Sequence, residues 1–374
     1  MSSTIRPSRR SFALGLTASV ATLATGTLGA PHVARAAAGL APLIGSMLML
    51  GFLGADRSAA WAQRLARQVG AGEAGGVVFL GHNFKSKSGV EGLAKMFAEA
   101  NSGTKALISL DQEGGAVQRL GSKLGYRSIP RAREVAASMS PKQAQALYAS
   151  MASEVRAAGF NFNLAPVVDL EVDPANPVVG KWGRAWGRDA QTVTTYARAF
   201  LKGHHGKGVA CALKHFPGHG SSRGDSHDGF VDISQTWSQA ELQPFADLAG
   251  EADAIMTAHL YHSGFVGEAD EPVTLSQRAI EGVLRGNLGY RGIVITDDLD
   301  MGAIRKRYAL DEAVVRAIAA GNDIIMLSNS AKPDENLPAR MIATVKAAVD
   351  DGRISRGRIE QAHQRIVAMQ GTLG

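Results

Sequence analysis

The sequence predicts an α/β protein folded as a single closed (β/α)8 barrel of the TIM type. Three observations carry this. Eight short apolar runs rich in β-forming residues recur along the chain, segments with helical periodicity lie between them, and no Pro/Ser-rich linker, repeat or low-complexity tract divides the chain after residue 40. Strands that are apolar on both faces and alternate with helices form a parallel sheet covered on each side. Eight such strands suit closure, with an open doubly wound sheet as the alternative. At 374 residues the chain exceeds the usual size of one domain, but barrels reach this length as a single unit.

Ser8-Arg9-Arg10-Ser11-Phe12 matches a twin-arginine export signal, followed by a mildly apolar stretch to about Gly29. Ala34-Arg35-Ala36 then supplies small residues where a signal peptidase would cut. Residues 1–36 are therefore read as the signal peptide and 37–374 as the barrel, and the protein is expected in the periplasm or outside the cell. A stable membrane anchor is not expected, because the stretch is short and rich in Gly and Thr. Cys211, the one cysteine, has no partner for an internal disulfide. Four of the six net positive charges (Arg6, Arg9, Arg10 and Arg35) belong to the leader, which leaves +2 on the remainder. With no basic run interleaved with aromatics, the composition argues against a nucleic-acid partner.

The strands fall at about 44–50, 75–80, 105–110, 160–168, 209–215, 254–260, 292–298 and 322–328. Helical segments include Ala59 to Val69, Val193 to Leu201 and Asp311 to Ala319. In such a barrel the functional residues sit at the C-terminal ends of the strands. The third strand leads into Asp111-Gln112-Glu113-Gly114-Gly115, the fourth into Asp169 and the fifth into Lys214-His215. The sixth ends near His259 and the seventh in Asp297-Asp298. Charged groups placed directly after apolar runs point to one polar pocket.

Two segments carry the chemistry. The run Lys214-His215-Phe216-Pro217-Gly218-His219-Gly220 continues to Asp225-Ser226-His227, a Gly-rich loop able to bend sharply. Asp225 and His227 are two apart, so a local turn brings the carboxylate to one imidazole nitrogen. That fixes the tautomer and leaves the other nitrogen to exchange protons. Two other readings stay open on these residues: a loop ordered by its own hydrogen bonds, and a metal site built from His215, His219, His227 and Asp225. The second segment, Ile293 to Met301, delivers Asp297 from an apolar strand to the barrel mouth, where a carboxylate suits attack on an anomeric carbon. Asp298 and Asp300 are expected to cap the following helix.

Taken together, Asp111-Gln112-Glu113-Gly114-Gly115 with Arg119, the K-H-F-P-G-H-G run, D-S-H and T-D-D-L-D-M resemble the bacterial β-N-acetylglucosaminidases of glycoside hydrolase family 3. The likeness runs in register over essentially the whole chain after the leader. It implies a retaining exo-enzyme that removes terminal β-linked N-acetylglucosamine from peptidoglycan-derived or chitin-like oligosaccharides through a covalent glycosyl-enzyme. Asp297 aligns with the family's nucleophile, His227 with its histidine acid/base and Asp225 with the carboxylate partner of that histidine. Asp111, Arg119, Lys214 and His215 align with sugar-binding positions, and Arg184 with a further sugar-binding arginine. The segment around Arg184 departs from the commoner R-S-F form, having Ala185-Trp186. No metal or organic cofactor is implied, the expected partner is the oligosaccharide, and a monomer is expected.

Another retaining β-glycosidase or a phosphorylase of the same family is an alternative, and an exported sugar-binding protein without catalysis is one of another class. Trp182 and Trp186 are candidates for stacking on a sugar or for packing. His204 and His205, at a helix end, are expected to be solvated or to favour the helix dipole. Cys211 is expected to be buried and inert. His259 is expected either in the pocket or as a structural histidine, and Asp169 as a support for pocket residues or a cap.

Overall fold

The computed structural model describes residues 39–100 and 103–374. The expected export signal at 1–36 lies outside the described residues. Eight parallel strands form one sheet: β1 (Leu48–Leu50), β2 (Gly76–Phe79), β3 (Leu107–Leu110), β4 (Phe162–Asn163), β5 (Ala210–Phe216), β6 (Ala254–Thr257), β7 (Ile293–Thr296) and β8 (Ile325–Leu327). Strands pair with their neighbours in chain order from β1 to β7, and β8 returns to β1 with Leu48 opposite Ile325. The last seam is a single bridge between Ile295 of β7 and Ile324. Thr296 reinforces it: its N–H donates to the Ile324 carbonyl at 3.0 Å and its Oγ1 accepts from the Met326 N–H at 2.9 Å. The sheet closes, which rules out the open doubly wound alternative.

Seven of the eight strands lie within the runs read from the sequence, and β5 runs one residue past its own, to Phe216. Two runs are also longer than their strands in ways that matter. Residues 44–46 belong to a helix, Leu40–Ser46, rather than to β1. Pro42 is tolerated in its first turn, and Gly45 lets the helix pack against backbone, where a Cβ would clash with the Gly72 carbonyl oxygen. Regular pairing of β4 stops at Asn163, because Pro166 has no N–H to give the ladder. The chain nevertheless stays beside β5 and bridges it again at Val167 and Lys214.

The helices follow their expected segments. Ala60–Gly70 buries Leu65 and Val69 against the barrel. Ala190–His205 begins earlier than its apolar periodicity, because Asp189 caps it by accepting the Thr192 N–H at 2.8 Å. Leu310–Ala320 stops at Gly321, whose φ of 118° suits glycine. The helix Arg278–Asn287 is π-wound, which its sequence does not announce. Cys211 is fully buried, as expected from its place in an apolar strand.

His204 departs from expectation. It is fully buried, stacked on Phe200 with ring centroids 4.1 Å apart. Nδ1 donates to the Phe200 carbonyl at 3.0 Å, and Nε2 accepts from the Asn163 amide at 3.1 Å. That amide cannot turn over, because Asn163 also exchanges two hydrogen bonds with the Gln112 backbone. A proton on Nε2 would face the amide's own hydrogens, and burial pushes the His204 pKa down to about 3. His205 is instead paired through Nε2 with Asp253 at 2.7 Å, and this hydrogen bond raises its pKa.

The linkage sign for His204 is fixed. The unfolded chain takes up a proton below about pH 6.5 while the folded chain does not until about 3. Stability should therefore fall as pH drops through this window, by up to roughly 1.4 kcal/mol per unit from this group. Urea unfolding of wild type and His204→Gln between pH 6 and 4 checks this. The variant should lose stability less steeply; parallel slopes would refute it.

Candidate active site

The C-terminal ends of β3, β5 and β7 and the loops after β4 and β5 converge on one cavity of about 330 Å3. Asp111, Arg119, Arg184, Lys214, His215, His227 and Asp297 all line it. Asp225 stands behind His227. An apolar wall of Val78, Leu80, Met256, Met301 and Met326 completes the cavity.

A buried charge network forms one side. The Lys214 ammonium donates to Asp111 Oδ1 at 2.7 Å and lies 2.8 Å from Glu113 Oε1. Arg184 grips Glu113 with two parallel bonds, Nε to Oε2 and Nη2 to Oε1, each 2.8 Å, and gives Nη1 to the Val178 carbonyl at 3.0 Å. Burial alone would raise Glu113, but the Arg184 and Lys214 cations hold it well below the usual carboxylate range. Burial alone would lower Lys214, and Asp111 and Glu113 more than reverse that. Glu113, Lys214 and Arg184 are therefore charged, and Arg184 shapes the cavity through Glu113. Gly114 and Gly115, with φ of 103° and 56°, make the turn that holds Glu113 inward. A Cβ on Gly114 would lie 2.8 Å from the Pro130 carbonyl oxygen. Arg119 sits across the opening, with Nη2 3.9 Å from Asp111 Oδ2.

Asp169 organises the loop that follows β5. Its Oδ2 accepts from His215 Nδ1 at 2.7 Å, and its Oδ1 accepts the N–H groups of His215 at 3.1 Å and His219 at 2.8 Å. Burial raises this carboxyl, but the two histidines hold it below its ordinary value. His215 is thus fixed with Nδ1 as donor and Nε2 directed elsewhere. His219 is buried, its ring nitrogens 2.7 Å from Ser222 Oγ and 3.2 Å from Ser226 Oγ. Beneath the loop, buried Glu241 accepts the N–H groups of Gly220 at 3.1 Å and Ser221 at 3.3 Å. Burial pushes its carboxyl up to about 7. Among the described residues no group of three or more His, Cys, Asp or Glu side chains is placed to hold a metal ion.

At the tip of the same loop, Asp225 Oδ1 accepts both from the His227 N–H at 2.9 Å and from His227 Nδ1 at 2.7 Å. Desolvation raises Asp225, and the hydrogen bonds from His227 bring it below its ordinary value. The His227 side chain is 65% exposed, so Nε2 is open to an incoming molecule.

Asp297 and Asp298 are adjacent carboxylates in opposite conditions. Asp297 accepts the Asp298 N–H at 2.8 Å. Burial opposes its ionisation, but His259, His215 and that N–H keep its carboxyl below the usual value. Asp298 is instead pushed up to about 6 by burial. Its Oδ1 accepts the N–H groups of Asp300 at 3.0 Å and Ser328 at 2.9 Å, and Asp300 accepts the Asn329 N–H at 3.0 Å. Neither caps the following helix, as the sequence had implied; they tie the end of β7 to the end of β8. His259 is a buried structural histidine, its Nε2 donating to the Asp298 carbonyl at 2.9 Å.

The tryptophans separate. Trp186 is core, with Nε1 donating to the Tyr148 hydroxyl at 3.0 Å, so it is not available to stack on a sugar. Trp182 is 46% exposed and lies outside the cavity lining. The sequence pattern gives no site role to Glu113, Glu241 or the methionine wall, and to His219 only one as a metal-ligand candidate. Glu113 stands two residues beyond Asp111 in the run from Asp111 to Gly115 at the end of an apolar strand, and that position is its signal in the sequence.

Comparison with known proteins agrees with this architecture. Residues 42–369 match the glycosyl hydrolase family 3 N-terminal domain. A β-hexosaminidase of Stenotrophomonas maltophilia strain K279a is 36% identical over 324 residues, covering 84% of this chain and 92% of that protein. Among solved structures, a family 3 β-N-acetylglucosaminidase from a Paenibacillus species superposes with a TM-score of 0.80 at 34% identity, over 90% of this chain and 63% of that one. This chain therefore spans a little under two thirds of that enzyme. The β-N-acetylhexosaminidase of Beutenbergia cavernae superposes with a TM-score of 0.76 at 30% identity, over 89% of this chain and 99% of that one. With a closed barrel, a charged cavity at its mouth and matches that run almost end to end, the chain is a glycoside hydrolase and belongs to glycosyl hydrolase family 3.

Proposed function

We propose that the protein is a retaining exo-β-N-acetylglucosaminidase, exported by the twin-arginine route, that trims terminal N-acetylglucosamine from peptidoglycan-derived or chitin-like oligosaccharides. One observation carries the mechanism: an ionised Asp297 and an imidazole backed by a carboxylate, His227 with Asp225, line the same cavity. The hexosaminidase names of relatives supply the sugar class.

In the first step Asp297 attacks the anomeric carbon while protonated His227 gives its Nε2 proton to the departing oxygen. The glycosidic bond breaks as the ester to Asp297 forms. His227, now neutral, takes a proton from water, which releases the sugar with retained configuration and frees Asp297. Asp225 holds the Nδ1 proton throughout and stabilises the imidazolium when it forms. Lys214, Asp111, Arg119 and His215 hold the sugar hydroxyls, and Arg184 supports them through Glu113. Charge-assisted bonds that strengthen in the transition state lower the barrier.

Side-by-side assay on 4-nitrophenyl β-N-acetylglucosaminide and β-glucoside, with analysis of the released sugar, checks the substrate and reaction. Turnover should favour the acetamido sugar and give free N-acetylglucosamine even when phosphate is present. Equal or greater turnover of the glucoside, or a sugar phosphate as product, would overturn the assignment. Asp297→Ala should reduce kcat by about four orders of magnitude or more, as removal of a covalent nucleophile does; full turnover by a folded variant would exclude Asp297 from that role. Glu113→Ala should destabilise the fold by about 3 kcal/mol or more, because it leaves Arg184 and Lys214 buried without their shared partner. Urea unfolding measures this, and a change within about 0.5 kcal/mol would show that the network is not coupled to folding.

A further inference from the structure

The loop bearing Asp225 and His227 is exposed at its tip, and the bond between these two residues fixes the ring only relative to its own turn. What fixes that turn relative to Asp297 is a second contact. Three successive carbonyls of the loop accept hydrogen bonds from one short segment that follows β7. The Ala303 N–H donates to Ser226 at 3.2 Å, the Gly302 N–H to His227 at 3.0 Å and the Lys306 ammonium to Asp228 at 2.5 Å. The segment is itself fixed to the strand ends: the Met301 N–H donates to the Asp298 carbonyl at 3.0 Å, and Asp298 and Asp300 accept N–H groups from Ser328 and Asn329. The approach is close enough to dictate a residue. A Cβ on Gly302 would lie 2.6 Å from the His227 carbonyl oxygen and 3.0 Å from the Asp228 carbonyl group.

The geometry points to a clamp in which Gly302, Ala303 and Lys306 set the distance between His227 and the sugar held at Asp297, with Gly302 as the positioning residue. The inference rests on the reading of His227 as acid/base. Any side chain at 302 pushes the loop outward by its own carbonyls, and His227 goes with them. The buried Ser226 hydroxyl, 3.2 Å from His219, and the Ser222 hydroxyl, which donates to the Gly224 carbonyl at 3.2 Å, still tie the turn to the loop base. Asp297, on the rigid strand end, stays where it is. Loss of the clamp therefore weakens proton transfer and leaves nucleophilic attack intact.

The test compares kcat/KM of Gly302→Ala, Lys306→Met and His227→Ala on β-N-acetylglucosaminides with leaving groups from 2,4-dinitrophenol to a simple alcohol. An activated phenol departs without a proton, whereas an alcohol needs one, and a general acid supplies about 10²- to 10⁴-fold. Gly302→Ala should lose about tenfold or more on the alcohol glycoside and less than about twofold in kcat/KM on the dinitrophenyl substrate. On the latter, kcat and KM should fall together, since release of the glycosyl-enzyme still requires the base. Lys306→Met, a change at an exposed position, should show the same pattern more weakly even if Gly302→Ala folds poorly. If His227→Ala shows a loss that climbs with leaving-group pKa while both clamp variants lose equally on all substrates, or lose nothing, the clamp is wrong. If His227→Ala itself shows no dependence on the leaving group, the acid role falls and the clamp with it.

Discussion

The buried Lys214 ammonium, held between Asp111 and Glu113, is the interaction on which the mouth of the barrel depends. Removing an ammonium and two carboxylates from water costs several kcal/mol per ion, which short, well-directed bonds must offset. Here Lys214 binds both carboxylates, and Arg184 takes the outer edge of Glu113 with a matched pair of bonds. The network joins the end of β5, the hairpin after β3 and the loop after β4. Those three segments are remote in sequence. Charge fixes them, and the same charges present the polar edge that a sugar requires.

Around this network the structure holds titratable groups in contrasting states. Asp297 is kept ionised and Asp298, its neighbour, is pushed toward neutrality, although both are buried at one strand end. The difference lies in their surroundings, imidazoles beside the first and chiefly desolvation at the second. Asp169 plays a comparable organising role, since a single carboxylate fixes the His215 ring and two backbone N–H groups of the loop leading to His227. Rigidity is concentrated at the base of that loop and exposure at its tip.

Much of this was legible in the sequence, and the reason is physical. Strands buried on both faces must be continuously apolar, so they stand out, and polar residues directly after them have little option but to face the mouth. Asp297, Lys214 and His215 could be placed on that ground; the spacing of Asp225 and His227 foretells their mutual bond, and their role in the site was implied by the family resemblance. What could not be read depends on partners distant along the chain. Glu113 acquires its role from Arg184, 71 residues later, and the buried state of His204 from Asn163, 41 residues earlier. Helix-end histidines and strand-end aspartates have common local uses, which suggested a dipole contact for His204 and caps for Asp298 and Asp300. Tertiary packing overrode those uses. Likewise Pro166 ends the regular β4 pairing without ending the strand's course, which hydrophobic pattern alone cannot show.

The proposed chemistry places a sugar covalently on one carboxylate, and that bond can be observed. The enzyme would be treated with a 5-fluoro N-acetylglucosaminyl fluoride, which slows release of the intermediate, then digested and its peptides sequenced by mass spectrometry. A single fluorosugar adduct on Asp297, lost on mild base treatment as an ester would be, is the expected result. An adduct on a different carboxylate, or hydrolysis of an N-acetylglucosaminide with inverted configuration and no adduct at all, would contradict nucleophilic attack by Asp297.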